Sequence, residues 1–269
     1  MQDVKLMEKG HVQMKHYNPD LANSHESLAA FLSPILGTPL NDLLETLNAF
    51  CRNNFGIAGP QLSSLGAGCY PIGSLMNHRC TPNCITAFNT PGDHTLYVRT
   101  IRPIEPGEEL TLCYIDVAQP ASTRKRELLS HFCFHCQCDM CAMAGSRKSM
   151  ESTLDGRSPA DYTDRENQCL EHVDDVLNLT ETLPCSESRI TLQQNALEEL
   201  IKHFHPYHWK IVLLRNLLMS DYIASAKPED ALAQGRLLVK AQQYIYGENH
   251  PVVAKSLRQC KKLSQVCEK

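Results

Sequence analysis

The stretch HFCFHCQCDMC, residues 131–141, contains four cysteines within nine residues, in the pattern C-x2-C-x-C-x2-C. Zinc prefers four thiolate or imidazole ligands in a tetrahedron, and C-x2-C is a common way to place two sulfurs on one ion. Clustered thiols without a metal would be an oxidation liability. The segment therefore predicts a structural zinc site, in preference to a coincidental group of buried cysteines.

The sequence alone leaves the four zinc ligands open. A local set would be Cys133, Cys136, Cys138 and Cys141, but the single residue between Cys136 and Cys138 makes a self-contained tetrahedron awkward. A distant ligand, Cys80 or Cys84 in the loop NHRCTPNC (77–84), would let the metal join two segments. The other cysteines are dispersed, and their default role is that of small buried hydrophobic residues.

Composition indicates a soluble globular protein of one large or two modest domains, with 269 residues, 42% of them hydrophobic. The net charge of −4 gives no general attraction to nucleic acid. The N-terminal residues MQDVKLMEKGHVQMKHY lack the apolar core of a signal peptide, and no apolar run is long enough for a membrane span. We therefore expect a nuclear or cytoplasmic protein with reduced thiols, and no direct nucleic-acid or membrane partner.

The first sixty residues have a helical pattern. Asn23 and Glu26 have the spacing of an N-cap, and Pro34 and Gly37 are expected to end the first helix. Its apolar stripe is predicted to pack in the core and consists of Leu28, Phe31, Leu32 and Ile35. A second helix is expected to start at Thr38 and Pro39.

The middle of the chain has the pattern of a small antiparallel β region. Glycines and Pro71 predict loops over residues 61–79. CITAF (84–88) and HTLYVRTI (94–101), joined by the turn NTPGD (89–93), predict a β-hairpin. LTLCYI (110–115) predicts a further strand.

The remaining chain is predicted to be a linker followed by helices. Residues 145–167 are polar, as is typical of a linker. Pro228 and Pro251 stand where helices begin and Gly247 where one ends. The paired amphipathic helices resemble a tetratricopeptide-like array, although no clean 34-residue repeat is present.

Three segments in this order resemble the SMYD-type SET-domain protein-lysine methyltransferases: GSLMNHRCTPNC (73–84), GEELTLCYID (107–116) and CFHCQCDMC (133–141). CRNNF (51–55) and the helical tail resemble the same family. The resemblance implies an α+β fold: a partial SET β-fold with a helical insert, a post-SET zinc segment and an all-α tetratricopeptide-like C-terminal region. The implied boundaries are 1–60 for the helical SET insert, 61–118 for the C-terminal half of the SET core, 119–145 for the post-SET zinc segment, 146–180 for a linker and first helix, and 181–269 for the helical region.

The resemblance also implies roles for individual residues. The expected S-adenosylmethionine-binding residues are Asn53, Asn77, His78 and Phe134, the active-site tyrosine is Tyr114, and the zinc ligands are Cys80, Cys136, Cys138 and Cys141. Cys133 and Cys84 would then be free thiols, although either remains an alternative ligand. Without the motifs, Tyr114 and Phe134 would be read as core residues and Asn77–His78 as a loop cap.

Outside these motifs, His203, His205 and His208 are predicted to be surface or packing residues, because they lack a clear fourth metal ligand.

The implied function is S-adenosylmethionine-dependent methylation of a histone or non-histone lysine. The family's Gly-rich first strand and MYND finger are not found, so part of the β-core and of the cofactor pocket is expected to be missing. A truncated gene model, a compact variant and a non-catalytic descendant all explain this. Arg79 and Phe132 also depart from the family's serine and tyrosine. The alternative function is a catalytically impaired, zinc-stabilised interaction module that binds a peptide partner through its helical tail.

Overall fold

The computed structural model describes residues 11–59, 63–88, 95–142 and 148–268, with side chains from Met14 onward. The described residues form two compact units. The first comprises residues 11–116 and 121–142, and the second comprises Val117–Pro120 and residues 148–268.

The first unit begins with three helices, α1 (His11–Tyr17), α2 (Pro19–Leu36) and α3 (Leu40–Asn53). The Asn18 side chain caps α2 by accepting a hydrogen bond from the backbone N–H of Leu21, and Pro19 occupies the first turn. The prediction of an N-cap at Asn23 was therefore wrong, because Asn18–Pro19 supplies the stronger start signal. Pro34 lies inside α2 and does not end it; Gly37 does so, with a φ of 62°.

The apolar stripe of α2 is not buried as predicted. Leu28, Phe31 and Ile35 are 43%, 66% and 63% exposed, whereas the small residues Ala22 and Ala29 are fully buried. The helix therefore packs through alanines, which allow a close approach of neighbouring backbone, and its larger side chains face outward in this structure.

Six short strands form three two-stranded sheets in the first unit. β1 (Asn54–Ala58) pairs antiparallel with β2 (Ser64–Cys69), so the chain is extended where helix and loop were predicted. β3 (Asn77–His78) pairs in parallel with β6 (Thr111–Leu112). β4 (Cys84–Ala87) and β5 (Tyr97–Thr100) pair antiparallel, which confirms the hairpin prediction for these strands. The predicted turn at 89–93 lies outside the described residues.

Helix α4 (Ala121–Phe132) precedes the cysteine-rich segment. Arg124 and Leu128 are its buried residues. A buried arginine is unusual and points to a specific polar environment beside this helix.

The second unit contains five helices in its described part: α5 (Asp164–Thr182), α6 (Glu187–His203), α7 (Trp209–Ala224), α8 (Pro228–Tyr246) and α9 (Pro251–Cys267). Pro228 and Pro251 stand in the first turns of α8 and α9, and Gly247 is the C-cap of α8, as predicted. Gly235 allows α8 and α9 to approach closely, because a Cβ there would lie 2.7 Å from the Cys260 sulfur. The tetratricopeptide-like character of this array remains a prediction.

The segment before α5 packs against the helices, contrary to the linker prediction. Met150 and Thr153 are 1% exposed, and Thr153 forms an isolated antiparallel bridge with Phe204. Arg157 donates two hydrogen bonds to the carboxylate of the buried Glu166. Glu166 also forms a capping box with Thr163 at the start of α5. Specific contacts of a few side chains thus order a segment whose composition is mostly polar.

The core of the second unit lies among α5, α6 and α7, with Phe204 and Ala231 also part of it. His208 is 1% exposed, and the His205 ring accepts a hydrogen bond from the Tyr207 amide. These histidines thus have packing and turn contacts. Among the helices that the structure describes, none has both the length and the apolar character needed to cross a bilayer.

Candidate active site and metal centre

Four cysteine sulfurs come together in the first unit. The Sγ atoms of Cys80, Cys136, Cys138 and Cys141 all lie within 4.8 Å of one another. The Cys80 sulfur is 4.0 Å from that of Cys136 and 3.5 Å from that of Cys141. This is the set that the family resemblance implied. Cys84 is buried in β4 and Cys133 lies outside the cluster.

The spacing of these sulfurs fits a tetrahedral metal ion. Four sulfurs bonded to zinc at about 2.3 Å would lie roughly 3.8 Å apart. Three of the cysteines are at most 9% exposed, so the donor set is soft and largely dry. The cluster can therefore hold a structural zinc ion with a closed four-sulfur shell.

Ionisation of the thiols also favours a bound cation. Hydrogen bonds to Cys138 and Cys141 raise the pKa of the Cys80 thiol, and desolvation by burial raises the pKa of Cys136 to about 11. The pKa of Cys138 is lowered, because its sulfur accepts hydrogen bonds from Cys141 and Cys80. Burial of several thiols together disfavours their joint ionisation, and a bound metal cation would offset this cost.

Cys80 is positioned by the pairing of β3 with β6. The backbone N–H of Arg79 donates to the Leu112 carbonyl at 2.9 Å and extends this pairing. The buried Asn83 side chain then holds the rest of the loop: its Oδ1 accepts from the Thr111 N–H at 2.8 Å and its Nδ2 donates to the Glu109 carbonyl at 2.8 Å. These bonds fix both ends of the loop that carries Cys80.

The other three cysteines lie on a tight turn after α4. The N–H of Cys141 donates to the Cys138 carbonyl at 2.9 Å. Arg124, 2% exposed, donates to the Met140 carbonyl at 3.3 Å and so anchors the turn to α4. Its guanidinium also places a buried positive charge beside the cysteine cluster.

A cavity of about 780 Å³ lies beside the cluster. Its volume is within the range of ligand pockets, roughly 300–1,000 Å³. All five residues expected at the cofactor and methyl-transfer site line it: Asn53, Asn77, His78, Tyr114 and Phe134. The structure therefore brings together side chains that are up to 81 positions apart (134 − 53).

Tyr114 and His78 form the inner wall of the cavity. The Tyr114 hydroxyl donates a hydrogen bond to the Met76 carbonyl, and the Tyr114 amide donates to His78 Nδ1 at 3.1 Å. The two rings meet edge to face at 5.3 Å, and Phe134 lies 5.8 Å from His78. Desolvation by burial lowers the pKa of His78 to about 4, so its imidazole is neutral near pH 7.

The two asparagines have hydrogen bonds within the protein. Asn77 Nδ2 donates to the Glu109 carboxylate at 2.6 Å, and Asn53 Nδ2 donates to the Ala49 carbonyl at 2.7 Å. The backbone carbonyl of Asn53 accepts a hydrogen bond from the Ser74 hydroxyl at 3.0 Å. These contacts hold α3, β3 and the segment before β6 around one cavity.

Sequence reasoning did not identify two charged residues at the cavity. Glu109 is the partner of Asn77, and Arg52 donates to the Phe132 carbonyl at 3.1 Å. Glu109 belongs to the GEEL segment and Arg52 to CRNNF. Their positions in the sequence, next to the motif residues, could therefore have indicated that they line the site. Arg79, which stands where the family has a serine, forms an ion pair at 2.5 Å with Asp139, on the turn that carries Cys136, Cys138 and Cys141.

Phe132, which stands where the family has a tyrosine, keeps an aromatic ring at the cavity, 4.9 Å from the ring of Tyr114, but supplies no hydroxyl. Cys133, with a φ of 60°, also lines the cavity.

Part of the chain is similar to known proteins. Residues 8–115 match the SET domain family model. The chain is 42% identical over 103 residues to histone-lysine N-methyltransferase SMYD3 of Mus musculus, covering 38% of the chain and 23% of that protein. It is 34% identical over 148 residues to N-lysine methyltransferase SMYD2 of Homo sapiens, covering 54% and 34%.

A plant relative matches over a longer region. Histone-lysine N-methyltransferase ASHR1 of Arabidopsis thaliana is 26% identical over 262 residues, covering 85% of the chain and 54% of that protein. The chain thus spans between about a quarter and about half of the length of these relatives.

The SET-domain match, the SMYD relatives and the motif order support a SET protein of the SMYD type.

Proposed function

We propose that this chain carries the site of an S-adenosylmethionine-dependent protein-lysine N-methyltransferase, acting on histone or non-histone lysines. The observation that carries the proposal is the cavity in which Asn53, Asn77, Tyr114 and Phe134 meet beside the four-sulfur cluster. The names of the SMYD relatives describe enzymes of this class and support the proposal.

In this proposal the metal is structural. Zinc would be held by Cys80, Cys136, Cys138 and Cys141, with no open position for a catalytic water. It would join the β3 loop to the turn after α4, which carries Phe134 on the cavity wall. Reduced thiolates of this kind fit a nuclear or cytoplasmic location.

The chain's own residues would orient the acceptor lysine and exclude water. S-adenosylmethionine, when bound, supplies the activated methyl group. The Tyr114 hydroxyl donates a hydrogen bond to the Met76 carbonyl, which leaves the lone pairs of its oxygen to accept a hydrogen bond from a lysine amine. The rings of Phe132 and Phe134 lie 4.9 and 6.4 Å from the Tyr114 ring, and this apolar surface would help to exclude water from the amine.

Calorimetric titration with S-adenosylmethionine tests the proposal on zinc-loaded protein. We expect saturable binding at one site, weakened about 10-fold by Phe134→Ala through loss of an aromatic contact. Phe31→Ala is the matched control, since Phe31 is 66% exposed on α2, and it should bind like the wild type. Transfer of labelled methyl from the cofactor to lysine-containing peptides would then define the substrate.

The alternative is an interaction module that uses helices α5–α9 to bind a peptide and does not transfer methyl groups. Absence of heat with millimolar S-adenosylmethionine, from folded protein containing one zinc, would favour this module and contradict the enzyme. Binding without transfer to any lysine peptide would contradict the catalytic part alone.

A further inference from the structure

The imidazole ring of His78 lies between the cysteine cluster and Tyr114. Its Nε2 is 3.3 Å from the Cys80 sulfur, and its Nδ1 is 3.1 Å from the backbone nitrogen of Tyr114. His78 belongs to β3 and Tyr114 follows β6, so the ring spans the two strands that form the floor of the cavity. Both ring nitrogens are therefore engaged within the protein.

The chemistry of these partners defines the tautomer of the ring. A backbone amide can only donate, so Nδ1 must accept the hydrogen bond from Tyr114. The proton of the neutral imidazole is then on Nε2, which faces the Cys80 sulfur. A metal-bound thiolate is a good acceptor for such a proton, and hydrogen bonds of this kind orient the ligands of metal sites.

We infer that His78 is a positioning residue that links the metal centre to Tyr114, through an Nε2–H donated to the Cys80 thiolate and an Nδ1 that holds the Tyr114 backbone. The inference rests on the metal part of the proposed function. The ring also contacts Tyr114 and Phe134, so its orientation sets the aromatic wall of the cavity. Loss of the metal would release the ring and loosen that wall.

Two substitutions separate the two hydrogen bonds. In His78→Asn, the side-chain oxygen takes the place of Nδ1 and can still accept from Tyr114, but nothing replaces the Nε2–H. In His78→Gln, the amide nitrogen reaches the place of Nε2 and can donate to sulfur, but the acceptor at Nδ1 is lost. Both variants remain polar and uncharged. His131→Asn, the same exchange at an exposed position on α4, is the matched control.

The measurements are the zinc dissociation constant by chelator competition, the thiolate-to-metal charge-transfer band of cobalt-substituted protein, and S-adenosylmethionine affinity by calorimetry. We expect His78→Asn to weaken zinc binding about 10–100-fold and to shift the cobalt band. His78→Gln should stay within about threefold of wild type for zinc but lose about 10-fold in cofactor affinity, as expected for a displaced outer contact. His131→Asn should change none of these values.

The outcomes distinguish this inference from the proposal beneath it. Zinc binding that is unchanged in His78→Asn, or equal loss of zinc or of fold in both His78 variants, would overturn the linking role. Wild-type protein that binds no zinc would overturn the metal part of the proposed function, and the inference with it. Zinc-loaded wild type that binds no S-adenosylmethionine, with the zinc effects as expected, would overturn the proposed enzyme alone.

Discussion

The sulfur of Cys80 lies 3.5 Å from that of Cys141, although the two residues are 61 positions apart in the chain. Two segments without helix or strand meet here: the loop after the two-residue strand β3, and the turn after α4. A metal ion at this contact would add stability to both, because binding energy at a structural zinc site is also folding energy.

Tyr114→Phe should slow methyl transfer with little effect on cofactor binding. The substitution keeps the aromatic contacts with His78 and Phe132 but removes the hydroxyl bonded to the Met76 carbonyl. We expect the turnover rate to fall on the order of 100-fold, as for loss of one positioned polar group. S-adenosylmethionine affinity should change less than about threefold. Radiolabel transfer and calorimetry measure the two effects.

Tyr97→Phe is the control for this experiment, since Tyr97 lies in β5 and does not line the cavity. An undiminished rate in Tyr114→Phe would show that the hydroxyl has no role in transfer.

Arg189→Ala should destabilise the second unit strongly. Arg189 Nε lies 2.8 Å from Asp221 Oδ2, and the two side chains are only 18% and 8% exposed. Removing the guanidinium leaves a buried, unpaired carboxylate, so we expect a loss of about 3 kcal/mol in the free energy of unfolding. Urea denaturation followed by circular dichroism measures this loss.

Lys227→Ala provides the comparison for the buried pair. Lys227 bonds Glu187 at 2.8 Å, but these side chains are 37% and 71% exposed. Water and salt screen such a pair, so we expect a much smaller loss than in Arg189→Ala. Equal losses in the two variants would mean that burial does not distinguish the pairs.

His208 should make the second unit less stable in mild acid. Desolvation by burial lowers the pKa of His208 from 6.5 to about 3, with Lys210 and His205 contributing in the same direction. Protonation therefore favours the unfolded state, and stability that is complete above pH 6.5 declines as the pH falls toward 3. Linkage gives about 2 kcal/mol between pH 7 and pH 5 from this residue.

The matching variant is His208→Gln, which cannot be protonated in this range. Unfolding free energies measured at pH 7 and pH 5 should differ by about 2 kcal/mol less in the variant than in the wild type. If both proteins show the same pH dependence, His208 does not have the low pKa that its burial implies.

Local signals of the sequence located helix ends in the second unit. Proline in the first turn and glycine at the C-cap are consequences of backbone chemistry, and Pro228, Pro251 and Gly247 are placed accordingly. Two of the motifs meet at one cavity because Asn77–His78 of the first pairs with Thr111–Leu112 of the second. Resemblance to the family identified Cys80 as the distant member of the sulfur cluster, which spacing alone left open.

Other features depended on tertiary contacts that local patterns do not contain. Pro34 lies inside α2, where its missing N–H removes one backbone hydrogen bond, and the helix nevertheless continues to Leu36. β2 forms from a glycine-rich segment because β1 provides a pairing partner. The buried Arg124 bonds the Met140 carbonyl and His78 bonds the Tyr114 amide, contacts that span 16 and 36 positions. A polar composition likewise predicted a linker where Thr153 and Glu166 are buried.

Zinc-edge X-ray absorption, measured on wild type and on Cys80→Ser, tests the central claim most directly. The account predicts four sulfurs at about 2.3 Å from the metal in the wild type. Cys80→Ser should have three sulfurs and one lighter atom, whereas Cys133→Ser and Cys84→Ser should keep four. A wild-type shell with fewer than four sulfurs, or an unchanged shell in Cys80→Ser, would contradict a metal centre that joins these two segments.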